Sequence, residues 1–206
     1  MAIRKHPYDV HPGVAMMQKW VADLPAKTGR TLDEWSEVAR KLGKKSNARK
    51  DIISKLKEEY GHGSNTAWHI YEYTFGRATW DGDADVYLAN AAQYVDDQYA
   101  GTKAHFRPLF ESVLAFVRTL PGVKVCPCKS MVPFYRERVF AQVRPATKTR
   151  FEVCLALEET PFGGLLLLNP RAVGSDRQRH MIAMEAENDF NATAKKWLKK
   201  AYEQDA

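Results

Sequence analysis

The apolar spacing of this chain changes period at Pro121, and that change limits the fold more than any other feature. Before Pro121, hydrophobic residues recur every three or four positions, the spacing of helices with one buried stripe. Val14, Met17, Val21 and Leu24 form the first stripe. Thr31 followed by Glu34 has the pattern of a capping box, and Leu32, Trp35, Val38, Ala39 and Leu42 run on to a stop at Gly43. A third helix is predicted from Ser46 or Asn47, with Ile52, Ile53, Leu56 and Tyr60 inward and Gly61 at its end. A fourth, capped by Ser64 or Asn65, has Ala67, Trp68, Ile70, Tyr71 and Phe75 as its apolar residues and stops at Gly76. Helical pattern continues over residues 86–94 and 106–120, with Pro108 in a first turn, where a missing N–H costs nothing.

Beyond Pro121 the period is two, as in strands with one face inward. MVPFYRERVFAQVRP predicts a hairpin turning at residues 136–138. In RFEVCLAL, Phe151, Val153 and Leu155 fall on one face and Glu152 and Cys154 on the other. GGLLLLN and RHMIAM read as further strands, and residues 189–203 as an amphipathic helix presenting Phe190, Ala194, Trp197, Leu198 and Tyr202 to the sheet. The expected class is therefore α+β: a small N-terminal helical bundle, then an antiparallel sheet packed with helices. The polar run TWDGDAD suggests a boundary, giving a helical module over residues 1–80 and an α+β module over 81–206.

A 206-residue chain that is 45% hydrophobic can bury a substantial core. The longest apolar run, residues 165–168, is far short of the roughly 18 residues of a membrane span, so no membrane association is expected. No secretory signal is read at the start, and three cysteines suit a reducing compartment; a cytoplasmic location follows. The net charge of +6 is unevenly distributed. Between residues 123 and 151 stand Lys124, Lys129, Arg136, Arg138, Arg144, Lys148 and Arg150 against Glu137 alone. Residues 40–57 hold Arg40, Lys41, Lys44, Lys45, Arg49, Lys50, Lys55 and Lys57 against Asp51. Such segregation focuses a field on an anionic partner, although many charge-rich segments are simply solvated faces.

Motifs that carry catalysis are not found. Cys126-Pro127-Cys128 lacks the spacing and the second ligand pair of a zinc site, so no metal is expected and the cysteines are read as small side chains in a sheet. His6, His11, His62, His69, His105 and His180 are scattered, with no HExxH pattern. Asp81, Asp83 and Asp85 begin like a calcium loop, but Ala92 stands at the twelfth position, where that loop needs Glu. GHGS, residues 61–64, is read as a turn between helices, and no cofactor is expected.

Five segments, HPGVAMMQKWVADLPAKTGRTLDEW, EEYGHGSNTAWHI, YAGTKAHFRPLFESV, FAQVRPATKTRFEVCLAL and KKWLKKAYEQ, resemble a bacterial family of two successive domains of unknown function. The resemblance spans nearly the whole chain and implies a helical module followed by an α+β module, without implying an activity. In strand order and in its closing helix, TAKKWLKKAYEQ, the second module is also similar to YjbR-like proteins; that similarity implies a frataxin-like sheet and DNA binding.

Two function classes remain. The first is a nonenzymatic binding module with DNA or RNA as partner, or another polyanion, held by Lys44, Lys45, Arg49, Lys50, Lys129, Arg136, Arg138, Arg144, Lys148 and Arg150. Phe134, Tyr135 and Phe140 interleave with these cations as stacking residues do, although aromatics in such a pattern are more often core. The second is a small-ligand or catalytic pocket between sheet and helices, drawing on Tyr135, Arg144, Arg150 and His180.

Overall fold

The computed structural model describes residues 6–45, 48–76 and 83–205, and they divide into two units: residues 12–87, and residues 88–205 together with residues 6–11. The boundary expected between residues 80 and 81 lies outside the described residues, as do Ser46, Asn47 and Asp81.

In the helical unit, α1 (Pro12–Thr28), α2 (Leu32–Gly43), α3 (Arg49–Glu58) and α4 (Ser64–Phe75) enclose a core of Leu24, Leu32, Trp35, Ala39, Leu42, Ile52, Leu56, Ala67 and Ile70. The capping box at α2 is complete: the Glu34 N–H donates to Thr31 Oγ1 at 3.2 Å, and the Thr31 N–H donates to Glu34 Oε2 at 2.7 Å. Two of the helix's orphan donors are thus satisfied reciprocally. Trp35 Nε1 donates to Thr28 Oγ1 at 2.8 Å, which ties the α1–α2 turn to the core.

Two expectations for this unit need correction. Gly63, not Ser64 or Asn65, is the N-cap of α4, and no side chain caps it. Tyr60 lies beyond α3 and is partly exposed, its ring edge-on to Trp35. Trp68 and Phe75 are also exposed. Ala67 and Ile70, three apart, define the buried stripe of α4, and Trp68 follows Ala67 about 100° around the helix, off that stripe.

The α+β unit takes the larger part of α5 (Ala84–Gln98), a short 3-10 helix (Gly101–Phe106) and α6 (Arg107–Val117), with Pro108 in the first turn as expected. Six strands follow: β1 (Lys124–Val125), β2 (Val132–Tyr135), β3 (Val139–Pro145), β4 (Phe151–Leu155), β5 (Leu167–Leu168) and β6 (His180–Met184), before α7 (Ala192–Glu203). They form one antiparallel sheet in the order β1-β2-β3-β4-β6-β5. Val143, Val153 and Ile182 stand side by side across β3, β4 and β6, and the Phe151 ring lies 6.0 Å from that of Phe106. Asn191 caps α7, its Oδ1 accepting from the Thr193 and Ala194 N–H groups. The segment ahead of α1 joins the β1 edge: the Asp9 N–H donates to the Val125 carbonyl, and the Val125 N–H to Asp9 Oδ2, both at 2.9 Å.

Two features of the sheet depart from expectation. GGLLLLN yields a strand of only two residues, because Gly163 and Gly164 adopt φ of 146° and 56° and turn the chain there. On β4 the expected alternation of buried and exposed residues is missing. Glu152 and Cys154 are as buried as Phe151, Val153 and Leu155, since β4 is central and covered on both faces. No helix among the described residues is long and apolar enough to cross a membrane.

A candidate anion-binding site

A fully buried carboxylate on a central strand requires compensation, because transferring an ionised group out of water is expensive. Glu152 obtains it from three arginines. Arg144 of β3 is the direct cross-strand partner of Glu152 and donates from Nε to Oε2 at 3.0 Å. Arg150, two residues before Glu152 and hence on the same face, donates from Nε to Oε1 at 2.9 Å. Arg171 reaches Oε2 through Nη2 from the loop between β5 and β6.

That loop is built to present Arg171. Asn169 is buried, its Nδ2 donates to the Gln178 carbonyl at 2.8 Å and its Oδ1 accepts the Arg171 N–H at 3.1 Å. This Asx-type turn, with Pro170 at its centre, sets the direction in which the loop leaves the sheet. Further along, the Val173 N–H donates to Asp176 Oδ2 at 2.9 Å.

The electrostatics are unbalanced. Three guanidiniums face one carboxylate, leaving an excess of two positive charges. Burial pushes the Arg144 guanidinium down from its ordinary value; Cys154 opposes this and the Arg150 charge adds to it. The Arg144 side chain is 18% exposed, whereas those of Arg150 and Arg171 are 42% and 43% exposed, so the cluster has one anchored member and two reachable from solvent.

The remaining cations are dispersed. Lys148 is exposed in the β3–β4 turn, at the same end of β3 as Arg144 and Arg150. Lys129, also exposed, lines a cleft of about 580 Å3 together with Asp97, Gln98, Thr102, Lys103 and Ser130. Arg136 and Arg138 sit at the opposite end of β3, in the hairpin turn. Arg136 donates from Nη1 to the Tyr202 carbonyl at 3.2 Å and lies over the Tyr202 ring, where its charge complements the C-terminal end of α7. The Arg138 N–H donates to Asp205 Oδ2 at 2.8 Å, and Arg177 Nη1 donates to Oδ1 of the same buried carboxylate at 2.8 Å. The structure therefore brings Arg144 and Arg150 together and sets Arg136 and Arg138 apart from them.

In the helical unit, Lys44 occupies the C-cap of α2, Lys45 follows it, and Arg49 and Lys50 open α3. Arg49 stands 3.7 Å from Glu72 and over the Tyr71 ring. The aromatic residues expected to stack on bases do not form such a surface. Phe134 and Phe140 are fully buried in the core, and Tyr135 exchanges a 3.0 Å hydrogen bond with His11 Nε2. His180 is buried, with Nε2 2.8 Å from the Thr160 carbonyl, and does not join Arg144 and Arg150. Cys126 is buried after β1 with its Sγ 3.7 Å from the Val10 carbonyl, Cys128 is half-buried, and Cys154 is buried in β4.

Arg171 was not anticipated from the sequence. Strand period and cross-strand register place Arg144, Arg150 and Glu152 on one face, but nothing local to Asn169-Pro170-Arg171 signals its partner, 19 residues away.

An antiparallel sheet with helices on it, preceded by a helical bundle, defines a two-domain α+β protein. The chain belongs to the family described as a domain of unknown function (DUF5655), whose model matches residues 95–205. A second domain of unknown function (DUF4287) matches residues 16–75, so two such domains follow one another. Neither match bears on the similarity to YjbR-like proteins. No curated protein and no solved structure matches the chain.

Proposed function

We propose that the α+β unit is a nonenzymatic binding module for nucleic acid or another polyanion, with the β3–β4 end of its sheet as the contact. One observation carries this reading: Arg144, Arg150 and Arg171 share a single carboxylate, and Lys148 adds a further exposed positive charge at that end. Arginine forks and lysine point charges are the groups that hold phosphate backbones. The reading carries with it a cytoplasmic location, where DNA and RNA are reachable. Lys44, Lys45, Arg49 and Lys50 are proposed as a second contact on the helical unit, and Arg136 and Arg138 as subsidiary ones, since both already serve α7 and the residues after it.

The test is fluorescence anisotropy of the full chain with a nonspecific DNA or RNA duplex at about 50 and 200 mM salt. Affinity should fall steeply, and Lys148→Ala/Arg150→Ala should flatten the log–log slope by about 0.9 for each phosphate no longer neutralised. Arg136→Ala/Arg138→Ala should have the smaller effect. Lack of binding at the lower salt would overturn the proposal.

The cleft lined by Asp97, Gln98, Lys103 and Lys129 favours a second reading, a small-ligand pocket between helices and sheet. A polar ligand held there would protect Lys103 and Lys129 from amine acylation, and Lys148 would stay reactive.

A further inference from the structure

We propose that Arg144, Arg150 and Arg171 form a discrete receptor for a phosphate monoester, with Glu152 as the brace that holds the guanidiniums in place. The choice of phosphate rests on the polyanion reading; the receptor itself rests on geometry. Each guanidinium carries five N–H donors, and the three together give Glu152 three hydrogen bonds. Arg144 and Arg150 both use Nε for this purpose, so the Nη groups of both lie outside those bonds. Among the described residues, the three side chains have no other ion pair.

The charge count selects the ligand class. An excess of two positive charges is matched by a monoester, which carries about −1.5 to −2 at neutral pH, better than by an internal phosphodiester with one negative charge. Three like charges held by one carboxylate repel one another, and a compact dianion relieves that repulsion where an extended chain of single charges does so less well. Access comes through Arg150 and Arg171, whose side chains are 42% and 43% exposed, while Arg144 at 18% forms the floor. The brace also lowers the entropic cost of binding, because side chains already fixed by Glu152 and by the Asn169 turn lose little freedom when the anion arrives. A phosphorylated nucleic-acid end and a small phosphorylated molecule share this chemistry.

The experiment uses the full chain. Calorimetric titration with inorganic phosphate at pH 7 should give saturable binding, weakened at least about tenfold in Arg150→Ala and in Arg171→Ala and unchanged in Arg136→Ala. In wild type, phosphate should protect Arg150 and Arg171, but not Arg136, from phenylglyoxal, read by mass spectrometry; this arm needs no variant to fold. Two oligonucleotides of one sequence, with 5′-phosphate and with 5′-hydroxyl, distinguish the sources. Tighter binding of the phosphorylated strand, abolished by Arg171→Ala, assigns the receptor to nucleic-acid ends, and equal binding with inorganic phosphate still saturable assigns it to small phosphorylated molecules. Salt-dependent binding of both strands with no phosphate heat and no protection overturns the receptor and leaves the polyanion reading standing. Phosphate binding with neither strand nor duplex bound does the reverse.

Discussion

Replacing Glu152 by Gln removes one negative charge from a site where three positive charges meet, and the structure sets the size of the effect. The Glu152 side chain is 0% exposed, so nothing in solvent substitutes for it. Breaking a buried pair by removing one partner costs about 3–5 kcal/mol, because the other charge is left uncompensated. Here that applies mainly to Arg144, at 18% the least exposed of the three arginines. Arg150 and Arg171, above 40% exposed, can turn into water, and their pairs contribute less than about 1 kcal/mol each. The expected loss is therefore about 3–4 kcal/mol. With a urea dependence of about 2 kcal/mol/M, the unfolding midpoint of the α+β unit should drop by roughly 1.5–2 M. Because the chain has two units, the assay is hydrogen exchange by mass spectrometry across a urea series, read on peptides covering β3 and β4. Glu152→Met/Arg144→Met should recover most of the loss, since an apolar pair leaves no charge stranded. A midpoint shift under about 0.3 M in Glu152→Gln would refute the claim that the carboxylate holds the arginines.

Two further outcomes concern protonation. Burial holds His62 below its ordinary value, with its ring edge-on to Trp35 at 4.2 Å, so the unfolded chain takes up a proton near pH 6.5 that the folded one refuses. The stability this contributes is present above about pH 6.5 and lost as pH falls; the melting temperature of the helical unit should drop between pH 7 and 5, less so in His62→Phe, and an identical drop in both would sink the idea. Burial pushes the Cys126 thiol up to about 12, so the group is neutral in the folded chain where the unfolded chain has lost its proton, and stability should decline as pH rises above about 9 toward 12. At pH 8.5 iodoacetamide should label the half-buried Cys128 well before Cys126; the opposite order by mass spectrometry would contradict the burial argument.

Much of the local structure was legible because its causes are local. Thr31 and Glu34 specify their capping box from four consecutive residues, and the structure contains both of its hydrogen bonds. The hairpin turning at residues 136–138 and the amphipathic pattern of α7 are likewise written in spacing alone. Where the cause was not local, the pattern misled. Ser64 and Asn65 look like caps, yet the chain enters α4 one residue earlier, at Gly63, whose extended φ and ψ of −65° and 157° suit the cap position. Leu165 to Leu168 look like one strand, but only Leu167 and Leu168 pair with β6, both exposed at the sheet edge, while buried Leu166 bridges back to Gly163.

The periods of three to four and of two, together with the change at Pro121, determined the α+β class, because side-chain direction along helices and strands repeats with those periods whatever surrounds them. They put Glu152 and Cys154 on one face of their strand, but the register that sets Arg144 opposite Glu152 comes from the folded sheet. That Glu152 is buried, that Phe134 and Phe140 are core instead of stacking surface, and that Arg171 completes the cluster were decided only by the tertiary structure. Burial and long-range ion pairing depend on what covers each face of the sheet and on where a loop returns, and a loop 19 residues away along the chain leaves no periodic mark of its destination.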